Sequence, residues 1–195
     1  MMGCVLARTM GVPVKKIIAS VNENDEVPTF LSTGSYEKIV PSKNCLSNAM
    51  NVGHPSNLAR LIAIYGGIMD EQGAVSKEPD MEKLRNDIYS SSVTDEETKV
   101  TIKEVYENYG ILIEPHGAVG IKGLLDFRSQ SGDNTLAVTL ETADPAKFPE
   151  HVKAQTGVEP VLPESLKKIG SKEEFMDYIG TDYLPFKIYL QEKLG

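Results

Sequence analysis

The sequence predicts an α/β fold with an open, mostly parallel sheet flanked by helices. Short apolar or β-branched stretches, such as "VKKIIASV" and "NTLAVTLET", alternate along the chain with stretches of helical periodicity. Strands separated by helices of about 10–15 residues form βαβ units, in which the strands run parallel. Ligands of such sheets bind beyond the carboxyl ends of the strands, so the candidate functional residues are Asn22, Ser47, Asn48, 114–116 and 142–144.

The helices are predicted from apolar spacing and from end signals. The first opens the chain and ends at Gly11, and a second begins at Asn24 or Asp25 and ends at Gly34. A T-x-x-E capping box at Thr94 is the strongest local helix signal in the sequence, and it predicts a helix that ends at Gly110. The remaining helices are predicted at 57–67, 80–86, 115–127 and from Asp144 onward.

The strands are predicted at 14–21, 87–94, 111–114 and 134–142. The last is nearly continuously apolar in its middle, as a strand covered on both faces would be. Beyond Pro160 the signals weaken to short helices, with a second capping box at Ser171 and Glu174. We therefore predict a main part at 1–159 and a helical extension of the same domain at 160–195.

Composition limits the function. The chain has 195 residues, 41% hydrophobic and 25% charged, which is typical of one globular domain. A net charge of −8 argues against binding to nucleic acid or to an anionic membrane. The two cysteines have no metal-ligand spacing, and no stretch is long enough to span a membrane. These features predict a reduced, cytoplasmic protein.

Few residues offer recognisable chemistry. The three histidines share no metal spacing, and the sequence has no G-x-S-x-G, P-loop or G-x-G-x-x-G motif. His116 follows Pro115 at a helix start, where its ring either packs structurally or serves a site. Thr142 ends a predicted strand before a helix, so its hydroxyl is expected at the ligand edge, bound to a ligand or to local backbone. The stretches "NEND" and "SNAMNV" are equally compatible with plain turns.

Four stretches carry a family resemblance. They are "IIASVNENDEVPTFLSTGSYE", "LSNAMNVGHPSNLARL", "VTDEETKVTIKEVYENYGILIEPHGAVG" and "LETADPAKFPEHV". In order and spacing, from about Val5 to Val152, they resemble successive blocks of the threonine synthase family, in its bacterial and fungal subfamily. The pieces "SNAM", "PSN" and "EPHGAVG" are the most specific.

The resemblance implies a pyridoxal-phosphate (PLP) enzyme of fold type II that converts O-phosphohomoserine and water to threonine and phosphate. It implies that the Thr142 hydroxyl meets the pyridine nitrogen of the cofactor. Where members of the family commonly have histidine after the "TA" pair, this chain has Asp144. The positions that match family blocks near the site are Asn22, Asn24, Ser47, Asn48 and His116.

In the family, the Schiff-base lysine and the glycine-rich phosphate loop lie upstream of the matched blocks. We therefore expect a carboxyl-terminal fragment that has no catalytic lysine or metal, is inactive alone and binds no cofactor by itself. Lys147 is the nearest lysine to the presumed site and is expected to be a solvated helix residue. Apolar surface that the rest of the enzyme would cover is expected to be exposed in the fragment and to make it self-associate.

Two other functions fit the same residues. One is a related phospho-lyase with a different substrate, which the Asp144 departure would permit. The other is a non-catalytic module that binds anions or directs assembly through the same sheet edge.

Overall fold

The computed structural model describes residues 1–194, which form two compact units divided between Val161 and Leu162. The first unit contains, in order, α1 (Met2–Thr9), β1 (Ile17–Val21), α2 (Glu26–Thr33), α3 (Asn57–Ile64), β2 (Ile68–Met69), β3 (Val75–Lys77), α4 (Met81–Asp87), β4 (Ile88–Ser92), α5 (Asp95–Tyr109), α6 (Pro115–Ser131), a 3₁₀ turn (Pro145–Lys147) and α7 (Pro149–Thr156). The second unit contains α8 (Tyr183–Leu194).

A parallel pair of strands lies at the centre of the first unit. β1 and β4 pair in register from Ile17 opposite Ile88 to Val21 opposite Ser92. The crossover between them contains α2, α3 and α4, while α6 packs against both strands. The predicted fold class, an α/β layer with a parallel sheet and flanking helices, is therefore confirmed. β2 and β3 form a separate short antiparallel pair.

Two apolar clusters hold the unit together. The larger one buries the inner faces of α2, α3 and α4 against β1, with Phe30, Leu58 and Leu61 fully buried. The smaller one joins α5 to α6 through Ile102, Val105, Ile113 and Ala118. Aliphatic and aromatic side chains at helical spacing form both clusters, which explains why the sequence pattern located these helices.

Several predicted helix ends are confirmed. Thr94 and Glu97 form a reciprocal capping box at the start of α5, and Gly110 ends that helix in the left-handed conformation. Asp80 caps α4 by accepting a hydrogen bond from the Lys83 amide. These ends are set by local side chain to backbone contacts, so they could be predicted without knowledge of the tertiary structure.

Two predicted strands are wrong in the described part of the chain. Residues 111–114 and 134–142 are neither strand nor helix. The segment 134–142 is also not covered on both faces, because Leu136 and Val138 are almost fully exposed. Its pattern is that of a strand, yet residues 1–194 offer its backbone no partner strand, and pairing defines a strand.

The carboxyl-terminal prediction is wrong in part. Residues 173–180 are not helical, so Ser171 and Glu174 form no capping box, and the Ser171 hydroxyl bonds to the Lys168 carbonyl. The helix of this region is α8, which begins at Tyr183. Among the described residues, no helix has the length and apolar character needed to cross a membrane.

Candidate functional site

The carboxyl ends of β1 and β4 lie side by side. The Val93 amide donates to the Val21 carbonyl at 2.9 Å, and the Ser92 hydroxyl donates to the Asn22 carbonyl at 3.1 Å. Asn22 thus leaves the sheet where a ligand of a parallel sheet is expected, close to the capped start of α5.

An amide network holds the loop that follows α2 against this edge. Asn22 Nδ2 donates to Ser47 Oγ at 3.0 Å, and Asn24 Nδ2 donates to Asn22 Oδ1 at 3.1 Å. Asn24 also accepts from the Lys43 amide at 2.8 Å and is only 3% exposed. The structure therefore brings Asn22, Asn24 and Ser47 together, and most of their hydrogen-bonding capacity is used within the protein.

The amino terminus of α6 is closed by the fully buried carboxylate of Glu114. Its oxygens accept from the His116 amide at 2.9 Å and from the Gly117 amide at 3.0 Å. Burial acts to raise the pKa of Glu114, but hydrogen bonds from the His116 ring and from these amides lower it below its ordinary value. A charged carboxylate therefore occupies the position where a helix could otherwise bind an anion.

His116 connects this helix start to the loop that contains Ser47. The Ala49 amide donates to Nε2 at 3.4 Å, so Nδ1 carries the proton and donates to Glu114 at 2.5 Å. The ring packs against Phe148 with 5.2 Å between centroids. His116 is therefore partly buried by structural contacts and still lies at the same edge as Asn22 and Ser47.

Glu141 connects the 134–142 segment to this cluster. Its Oε1 accepts from the Glu114 amide at 3.3 Å, and its carboxylate lies against Gly117, where a Cβ would meet Oε2 at 1.8 Å. Glu141 as a whole residue is exposed, but its carboxylate is packed against the α6 terminus, and this local desolvation raises the pKa of Glu141 to about 7. The neighbouring charge of Glu114 adds to the increase. Only glycine at 117 allows this approach.

Thr142 and Asn48 are exposed. Within residues 1–194 the Thr142 hydroxyl has no hydrogen-bond partner, although Thr142 follows Glu141 directly and so lies beside the α6 terminus. Asp144 uses its carboxylate to cap the 3₁₀ turn, accepting from the Ala146 amide at 2.8 Å. Lys147 is exposed, with its Nζ 5.8 Å from the centre of the Phe148 ring.

A second group of donor atoms lies behind the amide network. Glu23, Cys45 and Asp95 each place one oxygen or sulfur atom within 4.8 Å of the others. The Asp95 carboxylate already accepts from the Leu46 amide at 2.8 Å, and burial raises the pKa of the Cys45 thiol. Because a metal binds the thiolate, these contacts favour a loop anchor over a metal site.

Sequence reasoning placed Glu114 at the ligand edge of the sheet, but it missed the capping role of this residue, and it missed Glu141. Glutamate is an uncommon N-cap, and its role depends on the complete burial that tertiary packing imposes. The signal that could have revealed the cap is the Glu-Pro-His order, in which proline is the first helical residue and Glu114 stands directly before it.

Comparisons with known proteins agree with this architecture. A family model described as "Threonine synthase, C-terminal" matches residues 117–184. The threonine synthase of Haemophilus influenzae is 32% identical over 191 residues, covering 95% of this chain and 40% of that protein. That of Pseudomonas aeruginosa is 36% identical over 184 residues, covering 87% of this chain and 38% of that protein.

Solved structures give the same result. The PLP-bound threonine synthase from Brucella melitensis superimposes with a TM-score of 0.82 at 28% identity, covering 98% of this chain and 43% of that one. The yeast threonine synthase gives 0.82 at 27% identity, covering 99% and 45%.

The fold and the candidate site define an α/β domain whose polar side chains gather where its parallel strands end. With these relatives, the chain belongs to the threonine synthase family. It spans about two fifths of the length of the relatives that it matches, 40% in the first of them.

Proposed function

We propose that the chain forms part of a PLP-dependent threonine synthase, which converts O-phosphohomoserine and water to threonine and phosphate. The observation that carries the proposal is the exposed Thr142 hydroxyl. It has no partner among the described residues and lies beside a helix terminus. An unengaged hydroxyl at the ligand edge of a parallel sheet is free to bind a cofactor. PLP supplies an electron sink when it is bound, and the protein supplies orientation and electrostatics.

The donors at this edge fit the ring of the cofactor better than its phosphate. The Thr142 hydroxyl would hold the ring nitrogen, and the amide network of Asn22, Asn24 and Ser47 would form the neutral wall beside it. Glu114 and Glu141 place two carboxyls at the α6 terminus, so a phosphate would be repelled there whenever both are charged. Phosphate binding and the catalytic lysine are therefore assigned to the part of a threonine synthase that this chain does not span.

His116 has a positioning role in this proposal. Its ring is held between the buried Glu114 carboxylate and the Ala49 amide. This arrangement fixes the Asn48 segment against α6 and leaves Asn48 itself exposed to a ligand. Lys147 is assigned no catalytic role, because its amine is exposed and lies over the Phe148 ring.

The partner and location proposals follow from the same features. We propose that the chain acts in the cytoplasm, where the soluble phosphate ester and PLP meet the enzyme. We also propose that the chain, when isolated, binds itself through the large apolar side chains that it exposes, among them Met10, Leu136 and Val138.

A chimera tests the function. The matched part of the Escherichia coli threonine synthase, which is 35% identical over 162 residues, is replaced by this chain and expressed in a strain that requires threonine. We expect growth without threonine. Thr142→Val should lower the threonine synthase activity of the purified chimera at least tenfold, while Thr142→Ser, which keeps the hydroxyl, should retain most of it.

Equal amounts of soluble protein, measured by immunoblot, make the chimera and its variants comparable. Thr135→Val is the matched control, because Thr135 belongs to the same segment and its hydroxyl bonds only locally to Asp133. A Thr142→Val chimera as active as its parent would contradict the role of this hydroxyl. A soluble chimera with no activity on O-phosphohomoserine would contradict the proposed reaction.

A further inference from the structure

The last residues of the segment 134–142 lie against α6 where that helix has glycine. The Thr139 methyl is so close to the helix that a Cβ at Gly120 would meet it at 2.8 Å. One turn nearer the start of the helix, a Cβ at Gly117 would have as its three nearest atoms those of the Glu141 carboxyl group. Residues three apart share one face of a helix, so the two glycines together admit this close approach.

Thr142 begins a short loop whose two ends are both held at the start of α6. At one end, Glu141 Oε1 accepts a hydrogen bond from the Glu114 amide at 3.3 Å. At the other end, the buried Phe148 ring packs on the His116 ring with 5.2 Å between centroids. Consecutive Cα atoms are about 3.8 Å apart, so the position of Glu141 limits the place that Thr142 can occupy.

We infer that Glu141 is a positioning residue: its carboxyl group, packed at the α6 terminus, fixes the place from which the Thr142 hydroxyl reaches the cofactor. The inference rests on the proposed function, in which that hydroxyl binds the ring nitrogen of PLP, and it adds a residue to the same site. A hydrogen bond of this kind requires about 2.7–3.2 Å between its heavy atoms. Displacement of the hydroxyl by roughly 1 Å is therefore enough to lose the bond.

The shape of the Glu141 side chain matters more for this contact than its negative charge. Its carboxyl group lies beside the Glu114 carboxylate, to which the His116 ring is already bonded. Two charged carboxylates repel each other, so a charge on Glu141 weakens the contact with α6. Glutamine has nearly the same shape, accepts from the same amide and carries no charge, whereas alanine is too short to reach the helix.

PLP binding to the chimera, measured by equilibrium dialysis, tests the positioning role. Glu141→Ala removes the carboxyl group, and Gly117→Ala displaces it, because the new Cβ takes its place and the glutamate side chain can turn away. Each substitution should weaken PLP binding roughly tenfold, as expected for the loss of one hydrogen bond. Glu141→Gln should bind PLP at least as tightly as the parent chimera. Glu104→Ala, an exposed substitution on α5, is the matched control and should leave PLP binding unchanged.

A combined variant separates positioning of Thr142 from general support of the fold. If Glu141 acts through the Thr142 hydroxyl, Glu141→Ala should weaken PLP binding by less than about twofold once Thr142→Val has removed that hydroxyl. Losses that multiply in the double variant would mean that Glu141 supports the site through another contact, and they would overturn the inference. Thermal unfolding of the full chain, followed by circular dichroism, shows that each single substitution leaves the chain folded.

The failure of this inference and the failure of the proposed function give different results. If Thr142→Val weakens PLP binding but Glu141→Ala does not, the positioning role is overturned and the proposed function stands. If Thr142→Val leaves PLP binding unchanged, both are overturned, because Glu141 then has no hydroxyl contact to position. A soluble chimera that binds no PLP contradicts both as well.

Discussion

The protonation state of the Glu141 carboxyl links the candidate site to the stability of the fold. Its carboxyl lies against Gly117 and bonds to the amide of Glu114, whose own carboxylate stays charged because the His116 ring and two amides bind it. Two neighbouring carboxyls do not both ionise easily, and the less well-bonded one keeps its proton to a higher pH. Here that one is Glu141, with a pKa raised to about 7.

The raised pKa of Glu141 predicts a pH dependence of stability. The pKa is 4.5 for the ordinary group and about 7 in the folded chain, so the folded state binds the proton more tightly. The stabilising contribution is complete below about pH 4.5, falls as the pH rises and is lost above about pH 7. Glu141→Gln cannot ionise, so it should melt at a higher temperature than wild type at pH 8 and at a similar temperature at pH 4.

Thermal unfolding followed by circular dichroism measures this difference across the pH range. Glu104→Gln, an exposed substitution on α5, is the control and should show no such pH-dependent gain. A Glu141→Gln difference that stays constant from pH 4 to pH 8 would mean that this carboxyl is not the titrating group.

At the scale of secondary-structure elements, the sequence correctly predicts the helices whose ends and buried faces are determined by local contacts. The capping box at Thr94 predicts the start of α5, and the helix predicted at 80–86 corresponds to α4, which Asp80 caps. The apolar middle of the segment 134–142 predicts a strand covered on both faces, but residues 1–194 contain no strand that pairs with it. Local patterns specify which face is apolar, whereas tertiary partners decide whether that face is covered.

The candidate site could be predicted only as a region. The strand-end rule placed Asn22 and Ser47 at one edge, and the structure does join them. The carboxyl pair of Glu114 and Glu141 could not be predicted, because these residues are 27 positions apart and meet only through packing of the 134–142 segment on α6. Long-range contacts of this kind leave no spacing in the sequence.

The capping box makes the stability of α5 testable. Thr94 Oγ1 accepts from the Glu97 amide at 3.2 Å, and the Glu97 carboxylate accepts from the Thr94 amide at 2.9 Å. Thr94→Ala removes the first bond and leaves that amide without its side-chain partner, so it should lower the free energy of unfolding by about 1 kcal/mol. Urea unfolding gives this value, with Ser129→Ala on exposed α6 surface as a control expected to change it little. Equal effects of the two substitutions would show that the cap contributes nothing.

At the scale of the whole molecule, charge and apolar surface act in opposite directions. Copies of a chain with net charge −8 repel one another, whereas the exposed row at Leu136, Val138 and Leu140 favours contact. Repulsion between exposed charges is screened over about 10 Å at 0.1 M salt and over about 3 Å at 1 M. Salt does not screen the favourable burial of apolar surface in this way.

Self-association should therefore strengthen with salt. Light scattering at a fixed protein concentration should give a mass that rises from near the 21.4 kDa monomer at low salt toward the dimer at high salt. Sodium chloride is the suitable titrant, because sulfate would strengthen apolar burial by itself. The Val138→Glu variant, measured in parallel, should stay near the monomer mass, since salt relieves repulsion without restoring the apolar row. A mass that falls with added salt would instead mean that opposite charges hold the copies together.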